Sequence, residues 1–188
     1  MSLNKTNRRL LLDLAKDSIQ HGLQTGCPIQ PDLDNYPAEL IEPRATFVTL
    51  RTNHSADALR GCIGMLKAVR PLAKDIAENA FSAAFRDPRF PPLEAYELEN
   101  LKIHLSILTP AEPVWFNSEQ DLLAQLQPDI DGLILEEGQR CGTFLPSVWE
   151  VLPEPEQFLR NLKQKAGLPG DYWSENIRIY RYRTELIN

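Results

Sequence analysis

The sequence is poor in the residues that build metal centres and disulfide frameworks. Its three cysteines, Cys27, Cys62 and Cys141, are an odd number with no C-x-x-C spacing, and its three histidines, His21, His54 and His104, are scattered. That pattern fits reduced thiols in a cytosol and contains no zinc motif, so any metal site would have to be assembled by the fold. Neither a metal nor a cofactor is expected. No apolar run is long enough to cross a membrane, and Met1-Ser2-Leu3-Asn4-Lys5 has no apolar signal core. The expected location is the cytoplasm. Basic charge is also in deficit: the net charge is −6 and the sequence pI about 5.1, opposite in sign to the footprint of a general nucleic-acid binder. Arg178, Arg181 and Arg183 do not change this, because strand alternation separates Arg178 from the other two and leaves a solvated edge. Internal repeats and low-complexity tracts are absent.

What the chain does have is 188 residues at 43% hydrophobic, enough to bury a substantial core as one domain over 1–188, with room for a smaller lobe. Residues 4–22 read as an amphipathic helix with Leu10, Leu11, Leu14, Ser18 and Ile19 on one stripe and Gly22 as its stop. Five residues, Gly26, Pro28, Pro31, Pro37 and Pro43, make 26–43 an extended connection. Residues 45–51 and 59–66 read as an antiparallel pair around a turn at 53–57, and His54 in that turn is a candidate base. Pro71 opens a helix with Leu72, Ile76, Ala80, Ala83 and Ala84 on one face; Asp87-Pro88-Arg89-Phe90 must end it. That rigid loop carries Arg86, Arg89 and an aromatic ring, suited either to clamping an anion or to neutralising the helix end.

Further on, 101–108 alternates, with Leu101, Ile103, Leu105 and Ile107 inward and Lys102, His104 and Ser106 outward. Glu112-Pro113 begins a connection, and Ser118 with Asp121 caps a helix that Pro128 closes. Residues 130–136 and 140–145 form a hairpin, and Pro146 opens a short helix holding Trp149. Phe158, Leu159, Leu162 and Ala166 form another helical face ending at Gly167, and 176–182 alternates as a last strand. Strands and helices so mixed, with several hairpins, predict an α+β fold with a mainly antiparallel or mixed sheet flanked by helices.

The densest chemistry is Leu59-Arg60-Gly61-Cys62-Ile63-Gly64. As a strand it places Arg60, Cys62 and Gly64 on one face and Leu59, Gly61 and Ile63 on the other. A guanidinium beside a thiol favours the thiolate, the reactive form of cysteine. Gly64 would leave the face bare beside the sulfur, and Gly61 permits another backbone to approach. The alternative is a small buried thiol on a central strand, with Arg60 paired to a carboxylate.

This string, LRGCIG, resembles the signature of the AMMECR domain family, also called protein A of the AmmeMemoRadiSam system. Phe47-Val48-Thr49-Leu50, Asp87-Pro88-Arg89-Phe90, Thr143-Phe144-Leu145-Pro146, Val148-Trp149-Glu150 and Lys165-Ala166-Gly167-Leu168 follow in the expected order, so the likeness covers nearly the whole chain. Cys141 and Ser147 depart from the family strings. The resemblance implies a domain with a larger and a smaller lobe and the LRGCIG strand at the cleft between them. It further implies a ligand-binding or catalytic cleft in which Cys62 is nucleophile or ligand-binding thiol and Arg60, Gly61, Gly64, Arg89 and Thr143 bind the ligand, an unknown small molecule or modified macromolecule. The companions it implies are a radical S-adenosylmethionine enzyme and a MEMO-type, dioxygenase-like protein. No cluster or S-adenosylmethionine motif is present here, so radical chemistry would belong to the companion. With no local catalytic constellation around Cys62 in sequence, a non-enzymatic adaptor in the same system is the alternative.

Overall fold

The computed structural model describes residues 2–52 and 58–188, so the 53–57 turn with His54 lies outside the described residues. The fold is α+β, with two four-stranded sheets in two compact units, residues 1–108 with 185–188 and residues 109–184.

The first unit comprises α1 (Lys5–Thr25), a 3-10 turn (Leu33–Asn35), α2 (Ala38–Ile41), β1 (Thr46–Thr52), β2 (Leu59–Gly64), α3 (Leu72–Phe85), a longer 3-10 segment (Ala95–Asn100), β3 (Leu101–Leu108) and the C-terminal β8 (Thr184–Ile187). Its sheet order is β2-β1-β3-β8. Helix α1 starts where the Asn4 side chain accepts the Asn7 N–H at 2.8 Å, satisfying an orphan donor of the first turn. It runs past the expected stop at Gly22 to Gly26, whose φ of 76° is the left-handed conformation that ends helices. Gly22 is small for a different reason. A Cβ there would lie 2.6 Å from Phe85 Cε2 and 2.7 Å from Phe81 Cδ2, so its missing side chain is what lets the rings of α3 pack on α1.

On β1, Val48 and Leu50 are fully buried and are flanked in register by Ile63 and Leu105 and by Gly61 and Ile103. Directly opposed side chains share a face, and these join Leu11, Ala15, Ile19, Ile76 and Ala80 in one core. A fully buried carboxylate, Asp75, ties α3 to β1. One of its oxygens accepts from the Thr46 N–H (3.1 Å), the Thr46 hydroxyl (2.6 Å) and Asn79 Nδ2 (2.9 Å), and the other from Arg70 Nε and Nη2 at 3.0 and 2.8 Å. Every lone-pair direction of the buried charge is met, the condition under which burying it is tolerable.

The second unit comprises β4 (Glu112–Val114), α4 (Glu119–Gln125), β5 (Gly132–Glu137), β6 (Arg140–Phe144), a 3-10 turn (Pro146–Glu150), α5 (Pro155–Lys165) and β7 (Arg178–Tyr182), in sheet order β4-β7-β5-β6. The expected hairpin is β5 with β6, and Ser118 caps α4 by accepting the Asp121 N–H at 3.1 Å. Glu112-Pro113, expected as a connection, is an edge strand, where a proline is tolerated because no second neighbour needs its N–H. Trp149 is buried and stacks on Phe158 with ring centroids 3.7 Å apart. Strand β8 has no counterpart in the expectations; of its four residues only Ile187 is buried, too little for an alternation to register. Among the described residues no helix is long and apolar enough to cross a membrane, and no group of three or more His, Cys, Asp or Glu could hold a metal ion.

Candidate functional site

Strand β2 is an edge of its sheet, and its pairing with β1 places Cys62 opposite Thr49, Gly61 opposite Leu50 and Leu59 opposite Arg51. Arg60 has no opposite number. It is the extra residue of a β-bulge, and a bulge re-aims the side chain it carries. The simple alternation that would set Arg60 beside Cys62 is therefore broken. Arg60 is 8% exposed and grips Glu97 of the 3-10 segment, Nε donating to Oε1 at 2.6 Å and Nη2 to Oε2 at 3.0 Å. The bond from Arg60 holds the Glu97 carboxyl below its ordinary value, and the same bond raises the guanidinium. Two of its three nitrogens are thus committed, and Nη1 has no partner among the described residues.

Gly61 allows the close approach the sequence calls for. A Cβ on it would sit 2.1 Å from the Ala83 carbonyl oxygen of α3. Gly64 does not leave a bare floor, because the Phe47 ring fills that space: a Cβ there would lie 2.3 Å from Phe47 Cγ.

The Asp87-Arg89 loop closes over the backbone of Cys62. The Cys62 N–H donates to Asp87 Oδ2 at 2.8 Å, and Arg89 Nη2 donates to the Cys62 carbonyl at 3.2 Å. Arg89 completes the clamp by donating Nε to Asp87 Oδ1 (2.9 Å) and Nη2 to Oδ2 (2.7 Å). Arg89 holds the buried Asp87 carboxyl far below the usual carboxylate range, helped by the backbone N–H groups of Cys62 and Arg89 and opposed by burial. Asp87 in turn raises Arg89, with a smaller contribution from the Cys62 side chain. The anion held by this loop is its own aspartate, and the guanidinium bonded to Cys62, at its carbonyl oxygen, is that of Arg89 and not of Arg60.

Because the Cys62 backbone bonds outward to the loop, Thr49 and Cys62 form a non-hydrogen-bonded pair, the kind whose side chains lie closer. The Thr49 hydroxyl donates to Cys62 Sγ at 3.3 Å. On its other side Thr49 is opposite His104 of β3, so Cys62, Thr49 and His104 form one cross-strand row on the sheet face away from Val48 and Leu50. His104 is half-buried, not fully in water as its alternation predicts.

Thr143, expected to complete the pocket, belongs to β6 of the second unit. Its hydroxyl donates to the Leu133 carbonyl at 2.8 Å and lies 3.1 Å from the Tyr182 hydroxyl, which donates to the Phe144 carbonyl at 3.0 Å. Burial pushes Tyr182 up to about 12. Three cavities, of about 400, 480 and 490 Å³, are lined by residues of the second unit, including Arg160, Glu137 and Trp115 respectively. None of the three takes a residue from LRGCIG.

Thr49 and the pairing of His104 into the row with Cys62, and Glu97 as the partner of Arg60, are not foreseen in the sequence. Thr49 was recoverable, because a hairpin that sets Leu50 against Gly61 must set Thr49 against Cys62. Glu97 carries no local signal.

The AMMECR1 family model matches residues 12–187. A protein of Thermotoga maritima is 41% identical over 170 residues, covering 89% of this chain and 90% of the relative. One of Methanothermobacter thermautotrophicus is 35% identical over 192 residues, 99% of this chain and 96% of the relative. The crystal structure of an uncharacterized protein from Pyrococcus horikoshii superposes with a TM-score of 0.90 at 34% identity, covering 99% of this chain and 93% of that one.

Proposed function

Because the chain belongs to the AMMECR1 family, we propose that it serves its system through the Cys62 thiol, held at a fixed point on an edge strand and offered to a ligand. The observation that carries this reading is the restraint on one cysteine from three directions: Asp87 on its N–H, Arg89 on its carbonyl and the Thr49 hydroxyl on its sulfur. A thiol needed only to fill space requires none of these contacts. His104 lies two strands from Cys62, about 10 Å by strand spacing, so a proton passing between them would run through the Thr49 hydroxyl. Arg60 and Arg89 are already neutralised by Glu97 and Asp87, which favours a neutral or weakly charged ligand over a strongly anionic one. The companions implied by the family resemblance, a radical S-adenosylmethionine enzyme and a MEMO-type protein, would act on the molecule this chain binds or presents. The cytoplasm is the compartment where a reduced Cys62 would persist.

The same neutralised arginines also fit an adaptor with no chemistry of its own, and one substitution separates the two readings. Wild-type chain recovered from cells that contain both companions is expected to carry an adduct on the Cys62 peptide, read by mass spectrometry. Cys62→Ser should lose that adduct and the companions' joint product while still binding them. A Cys62→Ser chain that binds both companions and supports their reaction at the wild-type rate would remove the thiol role and leave the adaptor.

A further inference from the structure

A second thiol, far from LRGCIG in sequence, has a histidine ring nitrogen within reach. Helix α1 ends at Gly26, whose left-handed conformation folds the chain back over the last turn. Pro28 restricts Cys27 to an extended backbone, so the exposed Cys27 is aimed by its neighbours on both sides. Its Sγ lies 3.8 Å from His21 Nε2 and 3.3 Å from Thr25 Oγ1. The single proton of the Thr25 hydroxyl has its shortest contact with the His21 carbonyl, at 2.8 Å. Toward the sulfur, Thr25 therefore offers a lone pair, and in the tautomer that carries its proton on Nδ1 the His21 ring offers a second at Nε2.

We propose that Cys27 is a site of thiol exchange with small disulfides, His21 taking its proton. A nucleophile within reach of a base on an accessible surface is the arrangement that makes cysteines reactive. In the exchange the Cys27 sulfur attacks one sulfur of a disulfide RS–SR. The Cys27–SR bond forms as the S–S bond breaks, and the departing thiolate is protonated by the proton His21 took from Cys27, so nothing beyond the disulfide is consumed. The site shares no residue with the Cys62 clamp, and it stands or falls separately from the function proposed there.

Cys141 provides the internal reference: it too is exposed, but it sits opposite a carboxylate, Glu136, on the β5–β6 hairpin. Native protein treated with oxidised glutathione and mapped by peptide mass spectrometry is expected to form the mixed disulfide at Cys27 about tenfold faster than at Cys141, since a free thiol is only a few per cent thiolate at neutral pH and a base can raise that fraction by about this factor. His21→Gln should slow Cys27 by about the same factor and leave Cys141 unchanged. Equal rates at the two cysteines, or a Cys27 rate indifferent to His21→Gln, would overturn the assignment.

Discussion

Gly61→Ala is expected to destabilise the protein by about 3 kcal/mol, at the upper end of what overpacking costs. The added Cβ would stand 2.1 Å from the Ala83 carbonyl oxygen, and that oxygen belongs to helix backbone, which cannot rotate away as a side chain can. Helix α3 would have to retreat from β2, carrying with it the Asp75 network that joins it to Thr46. A control separates crowding from conformational strain. Gly26→Ala meets no atom within 4 Å but keeps a φ of 76°, and should cost only about 1 kcal/mol. Urea unfolding of the three proteins measures both; a Gly61→Ala midpoint equal to wild type would mean that α3 does not approach β2 this closely.

Asp87 gives the second large effect. Asp87→Ala leaves the Cys62 N–H without its acceptor and releases Arg89, which is half exposed and can turn to water. The expected loss is about 2 kcal/mol, most of it from the stranded donor. Asp87→Asn keeps an acceptor for that N–H and should lose less. The pH dependence distinguishes charge from shape. Asp87 and Glu97 are both held below their ordinary values in the folded protein, so the unfolded chain takes up protons first as the pH falls. Their contribution is complete above the unfolded carboxyl range, near pH 4, and drains away below it. Stability followed from pH 7 to pH 3 should fall steeply on the acid side in wild type and less steeply in Asp87→Asn. Parallel acid limbs would show that Asp87 is no more acidic folded than unfolded.

Much of the fold was legible because its elements announce themselves locally. The LRGCIG strand, the 72–85 helix with its alanine face and the Gly138 hairpin each combine a clear period with a clear terminator. Two boundaries misled. Gly22 looked like a stop because a glycine that accommodates a neighbour's ring and one that ends a helix are the same letter, and only the tertiary partner tells them apart. Strand β8 buries one residue of four and carries no period to read. At the site, Cys62, Gly61 and the Asp87-Arg89 loop were each visible, but their relation was not. A bulge at Arg60 cannot be seen in an alternating pattern, and it sends that guanidinium to Glu97, 37 residues away. The cation beside Cys62 therefore comes from Arg89, and the space over Gly64 belongs to Phe47.

The proposed role requires Cys62 to be a held and reachable thiol, not a core-filling one. Iodoacetamide labelling of the native protein tests it most directly, in a Cys27→Ser background so that the second thiol does not compete and with Cys141 as reference. Cys62 is expected to be labelled without denaturant, and Thr49→Val, which removes the hydroxyl donating to its sulfur, to change the rate at Cys62 and not at Cys141. Labelling of Cys62 only after denaturant is added would contradict it.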